Sequence, residues 1–215
     1  IASLDNLNEQ QNEQLWIDEA DRRFREYKSG NIAARSAEEV AIVAASTTVQ
    51  INNTLAPEQS GSGVIIAKKG NNYTVLTVNH LVKNPNSEYV VFTSKRKEYK
   101  VTEVKSFQNN NSRLDLAVVM FESDEEYPVA PISNSDAAKI GSGVYVSGYP
   151  SSADGSKERE YAFTSGQVTN IRSSNADGYT IRYNALTRRG MGGGPVFDVS
   201  GRVIGIHGQA ETGFN

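Results

Sequence analysis

No cysteine occurs in the sequence, and histidine occurs only as His80 and His207. The first absence excludes disulfides, a thiol nucleophile and thiolate metal sites. The second excludes a multi-histidine metal cage, and no sequence feature calls for a metal or a cofactor. No apolar run approaches the roughly 18 residues of a membrane-spanning helix. The formal net charge is −3, with both signs mixed along the chain. No basic run interleaved with aromatics suggests a nucleic-acid partner. The opening IASLDNLNEQ lacks the basic start and apolar stretch of a signal peptide, and the sequence leaves the compartment open. What is present is ordinary for a globular chain: 215 residues, 38% hydrophobic and 22% charged. That suits one large all-β domain or one domain of two similar halves.

Residues 1–45 differ in texture from the rest. Trp16, Ala20, Phe24 and Tyr27 fall on one helical face, and Gly30-Asn31 reads as a stop. Ser36 with Glu39 three residues on is a capping-box pattern opening a short second helix. This N-terminal helical extension either packs on the body of the chain or docks a partner or regulatory domain. From 46 onward come short β-type runs with turn signals: GVIIAKK, YTVLTV, EYVVF, LAVVMF, GVYVSG, AFTSGQVTNI, YTIRY, PVFDV and RVIGI. That spacing predicts a sandwich or barrels rather than a βαβ sheet. GSGV occurs at 61–64 and again at 141–144, each time entering a strand, which fits two similar β halves.

Three features could carry chemistry. His80 ends an apolar run and by itself reads equally as a buried structural histidine. Asp115 stands at the mouth of LAVVMF, where a carboxylate needs a histidine ring or backbone N–H groups to bond it; the plain alternative is a strand-entry cap. The third is RGMGGGPVFD at 189–198, whose glycine run is either a loose connector or a place of very close approach.

Taken in order, GSGVIIA, VLTVNHLV, DLAVVMF and GMGGGPVFDVSGRVIGIHG resemble the trypsin-like serine peptidases of the chymotrypsin fold, in their bacterial cysteine-free branch. The resemblance covers roughly residues 45–215. It implies two six-stranded antiparallel β-barrels, the first about 46–125 and the second about 126–215, the latter with an incomplete C-terminal end. It implies His80 as general base, Asp115 as the group that orients and stabilises the imidazole, and the N–H groups of Gly190 and Gly192 as an oxyanion hole.

One position departs from the family pattern Gly-x-Ser-Gly-Gly-Pro: Gly192 stands where the nucleophilic serine belongs. Ser200 and Thr187 are not placed by the motif to attack. The chain as written is therefore expected to lack acyl-enzyme chemistry, keeping at most a residual acceleration of about 1000-fold over water. Two accounts stand: an introduced Ser→Gly change that stops self-digestion or traps a complex, and a natural pseudopeptidase that binds peptide without cutting. The retained histidine–carboxylate pair favours the first.

The resemblance also implies that Ala185 to Arg189 and Ile206 to Gln209 line the pocket for the substrate's P1 side chain. Leu186 stands where a trypsin would carry aspartate. VIGIHG resembles the glutamyl endopeptidases, which implies Thr187 and His207, with Gly208 alongside, for an acidic P1 group. Arg188 or Arg189 would add charge.

Overall fold

A computed structural model describes residues 35–108, 112–152, 159–173 and 178–208. The first predicted helix, the NADG turn before Gly178 and the segment after Gly208 lie outside these residues. Within them the backbone is mostly β, in two curled antiparallel sheets.

Helix α1 (Ala37–Thr47) carries the predicted capping box: Glu39 N–H donates to Ser36 Oγ at 3.2 Å, and Ser36 N–H to Glu39 Oε2 at 2.9 Å. Its buried side chains, Val40 and Ala44, pack with Val64, Ala130, Phe197 and Val203, so the helix closes a small core shared by both sheets. The compact unit begins at Arg35 and includes α1, leaving residues 1–34 as the part outside it.

The first sheet contains β1 (Thr48–Asn53), β2 (Gly61–Lys69), β3 (Asn72–Thr77), β4 (Tyr89–Phe92), β5 (Glu98–Lys100), β6 (Glu103–Ser106) and β7 (Ala117–Glu122), in the order β5-β4-β1-β2-β3-β7-β6. Between β5 and β6 the chain bends. Val101 N–H still bonds Tyr89 O beside β4, whereas Thr102 N–H bonds Met120 O on β7. The two edges of the sheet are thus one continuous segment, and the sheet curls onto itself. This bend splits one predicted strand into two, giving seven rather than six. Alternation along β3 turns Tyr73, Val75 and Thr77 inward. Tyr73, Val75, Ile51, Ile65, Val119 and Phe121 form the core of this half.

The second sheet contains β8 (Gly143–Gly148), β9 (Ala162–Ile171), β10 (Ile181–Tyr183), β11 (Pro195–Asp198) and β12 (Val203–Ile206), in the order β10-β9-β8-β11-β12. It has five strands among the described residues, against six expected. Val144, Val146, Val168, Met191, Val196 and Ile204 fill it. The repeated GSGV is not structurally equivalent in the two halves. At 61–64 it lies wholly inside β2, whereas at 141–144 it runs from a turn at Gly141 (φ 89°) into β8, which opens at Gly143.

Candidate active site

Strand register brings His80 to Asp115. β3 and β7 pair antiparallel with Thr77 opposite Ala117, so the residues just past β3 meet those just before β7. After β3 the chain turns into the short helix α2 (Asn79–Val82), whose Leu81 and Val82 are buried; these anchors leave the His80 ring at the surface. His80 Nδ1 lies 2.6 Å from Asp115 Oδ2, and the His80 N–H donates to Asp115 Oδ1 at 2.8 Å. The ring side chain is 44% exposed and the carboxylate 14%.

Asp115 Oδ2 also accepts the hydroxyl of Tyr179. Burial alone would raise the carboxyl pKa, but the bonds from the His80 ring, Tyr179 and the His80 N–H outweigh it and hold the pKa at about 2. Tyr179 is a residue the sequence reading missed. No sequence pattern marks it. Its ring lies on Gly208, where an added Cβ would come within 1.8 Å of Tyr179 Cε1. Tyr179→Phe removes a charge-assisted bond of roughly 1.5–3 kcal/mol. The Asp115 pKa should rise, which a carboxyl-carbon NMR titration would show; an unchanged titration would contradict the assignment.

The glycine loop is built by close approach. Gly190 (φ 92°) and Gly193 (φ 87°) hold left-handed backbone, and a Cβ on Gly193 or Gly194 would lie 2.1 Å from the carbonyl oxygen of Ser62 or Ser147. Gly192 differs. Its φ lies outside the glycine-favouring region, and among the described residues an added Cβ would meet only Gly208 O, at 3.6 Å. Judged against those residues, Gly192 alone of the loop's four glycines has room and backbone for an ordinary side chain.

The carbonyls around it are held. Ser151 N–H bonds Arg189 O at 2.8 Å, Gly194 N–H bonds Met191 O at 3.0 Å, and Ser62 N–H bonds Gly192 O at 2.7 Å. No peptide bond among the described residues is cis, so the N–H of Gly190 points opposite to Arg189 C=O, and that of Gly192 opposite to Met191 C=O. Neither N–H is used in a hydrogen bond among the described residues.

His207 follows β12 and is locked to the same loop: its N–H bonds Gly194 O at 2.8 Å, and its carbonyl accepts Gly193 N–H at 2.7 Å. The residue is 6% exposed, with ring Nδ1 2.6 Å from Tyr183 Oη. Burial lowers its pKa to about 4, so the ring is neutral at pH 7. The unfolded ring, near 6.5, therefore binds a proton that the folded ring does not. Stability should fall by about 3 kcal/mol as pH drops from 6.5 to 4. Urea titrations of the protein and of His207→Asn should diverge over that window; parallel profiles would contradict the burial argument.

Thr187 is half-buried, Arg188 is exposed, and the Arg189 guanidinium donates to Glu58 O at 3.2 Å. Ser200 lies in the β11–β12 turn, at the end of β11 opposite to Gly192. No cluster of three or more His, Asp or Glu side chains suited to a metal occurs among the described residues. Among those residues, no helix is long and apolar enough to cross a membrane.

With this geometry in view, comparison with known proteins is informative. Residues 61–206 match the family model described as trypsin-like peptidase domain, and the chain belongs to that family. A probable periplasmic serine endoprotease, DegP-like, of Marinomonas sp. (strain MWYL1) is 33% identical over 155 residues, covering 71% of this chain and 30% of that protein. The serine protease Do-like HtrA of Bacillus subtilis is 30% identical over 153 residues, 69% of this chain and 33% of that protein. Serine protease HTRA4 of Homo sapiens is 29% identical over 162 residues, 74% of this chain and 32% of that protein. The chain thus spans about a third of the length of these relatives. Residues 1–40 match a second, short model described as "Putative addiction module component".

Proposed function

We propose that the chain is the peptidase unit of a serine endopeptidase in which the nucleophile is missing. One observation carries the reading. A histidine–carboxylate pair with Nδ1 and Oδ2 2.6 Å apart accompanies a tightly held glycine loop in which only the nucleophile's position, Gly192, could take a side chain without strain.

In this reading Asp115, ionised above about pH 2, accepts from His80 Nδ1–H and leaves Nε2 as the base. A hydroxyl at position 192 would lose its proton to that nitrogen while attacking the scissile carbonyl. The N–H groups of Gly190 and Gly192 would bind the charge that develops on the carbonyl oxygen. His80 would then return the proton to the leaving amine. With glycine at 192, the cleft holds peptide without cutting it.

An acidic P1 side chain is the specificity we propose, with Thr187, His207 and Gly208 around it and Arg188 adding positive charge at the exposed rim. The Tyr183 phenol, its pKa raised by burial, keeps its proton and donates to His207 Nδ1. That fixes the His207 proton on Nε2, so the neutral ring can donate to a carboxylate. A panel of peptides varied at P1 tests this on the Gly192→Ser protein: cleavage after Glu or Asp is expected. Cleavage after Leu or Ala but not Glu would overturn the acidic preference.

The glycine itself favours a second reading, a natural pseudopeptidase whose cleft binds a peptide or protein partner. The codon at 192 in the native gene separates the two. A serine codon marks an introduced knockout, and a glycine codon marks the pseudopeptidase.

A further inference from the structure

The structure assigns Arg159 as the positioning residue of the glycine loop, a role that rests on the peptidase reading above. Arg159 is only 7% exposed, and among the described residues its guanidinium makes five hydrogen bonds. Nη1 donates to Tyr149 O at 2.5 Å and Gly190 O at 3.2 Å; Nη2 donates to Asn52 Oδ1 at 3.1 Å and Gly61 O at 2.5 Å; Nε donates to Gln50 Oε1 at 3.3 Å. Gln50, Asn52 and Gly61 belong to β1 and β2 of the first sheet, whereas Tyr149 and Gly190 belong to the second half. Among the described residues no carboxylate pairs with Arg159, and the five acceptors around its guanidinium are amide oxygens.

A buried cation is costly without compensation, and burial does lower the Arg159 pKa, to about 10. A side chain that only joined the two sheets could do so with a neutral group. What the guanidinium adds is its grip on Gly190 O. Ser62 Oγ donates to that same carbonyl at 2.8 Å while accepting Tyr149 N–H at 2.9 Å. Ser151 holds the preceding carbonyl, Arg189 O, at 2.8 Å. Both peptide planes flanking Gly190 are thereby fixed at φ 92°, and with them the direction of its N–H. Arg159 does not touch the reacting atoms. Through Gly190 O it holds in place the residue whose N–H would meet the oxyanion.

The test uses the Gly192→Ser protein with Arg159→Ala and Arg159→Lys added, each normalised to active sites titrated with a serine-reactive phosphonate. Loss of one oxyanion donor typically costs about 100–1000-fold; we expect kcat per titrated site to fall about 100-fold, with KM changed less than about threefold. Arg159 lines a cleft of about 300 Å³ bounded by Asn53, Thr54, Ser60 and Ser151, so methylguanidinium should enter the Arg159→Ala protein and restore part of kcat. Unchanged kcat per titrated site would overturn the assignment. If Gly192→Ser alone neither labels nor cleaves, the peptidase reading has failed, and Arg159 is judged in the unmodified chain. There, Arg159→Lys should shift the ¹⁵N-glycine amide resonances of Gly190 and Gly192. Unmoved resonances would overturn it.

Discussion

Gly192→Ser should raise peptide hydrolysis by four to six orders of magnitude. The size follows from how triads work: deleting the nucleophile alone costs roughly 10⁶-fold in kcat, about as much as deleting the whole triad, because the members act as one unit. Restoring the hydroxyl should return most of that factor only if the remaining parts are already in place. His80 and Asp115 are in contact at 2.6 Å, and the loop carbonyls are engaged. The fold should tolerate the change, since among the described residues the new Cβ meets only Gly208 O at 3.6 Å. Stability should stay level or rise by up to about 1 kcal/mol, because replacing glycine reduces the freedom of the unfolded chain. Gly194→Ser is the matched control. Its Cβ would lie 2.1 Å from Ser147 O, so it should lose stability and gain no activity. Equal activity in the two variants, read as initial rates on one fluorogenic peptide, would show that position 192 is not special.

Asp115→Asn in the Gly192→Ser protein should lower kcat about 10,000-fold while leaving the fold intact. Asparagine keeps the size of the side chain and can still accept the His80 N–H. Its amide, however, donates where the carboxylate accepted, which turns the imidazole to the wrong tautomer and removes the charge that stabilises the imidazolium. The pH dependence has a definite sign. The folded carboxyl is held at about 2 against an ordinary value near 3.8, so its contribution to stability is fully present above about pH 4 and is lost as pH falls toward 2. Acid unfolding monitored by circular dichroism should show this loss for aspartate and not for asparagine. A fall in kcat of less than tenfold would mean that His80 does not depend on Asp115.

What the sequence reveals and what it hides follow from physical range. The pairing of His80 with Asp115 is legible only through the resemblance of VLTVNHLV and DLAVVMF to peptidase motifs; the β3–β7 register that brings the two together is seen only in the folded chain. The capping box of α1 is readable because its partners are three residues apart. The burial of Val40 and Ala44 against Phe197 and Val203 is not, because those contacts span most of the chain; the same helix therefore reads as part of an extension. Strand counts go astray where one strand bends at Val101–Thr102, since a bend between two bonded edges leaves no composition signal. Arg159 lies in KEREYAF, where no motif singles it out; only the folded chain shows its guanidinium among five acceptors. Tyr179 is hidden for the same reason. Gly190 and Gly193 show their necessity in φ, and Gly192 shows the lack of one. That contrast makes a glycine run interpretable as three required residues and one that is not required.

The central claim is that this is a serine-peptidase site lacking a single hydroxyl. Intact-mass spectrometry after treatment with a peptidyl phosphonate tests it most directly. One adduct per chain is expected for Gly192→Ser, mapped to position 192, with none on the unmodified protein and none when His80→Ala is added. No adduct on folded Gly192→Ser, or an adduct that survives His80→Ala at the same rate, would contradict it.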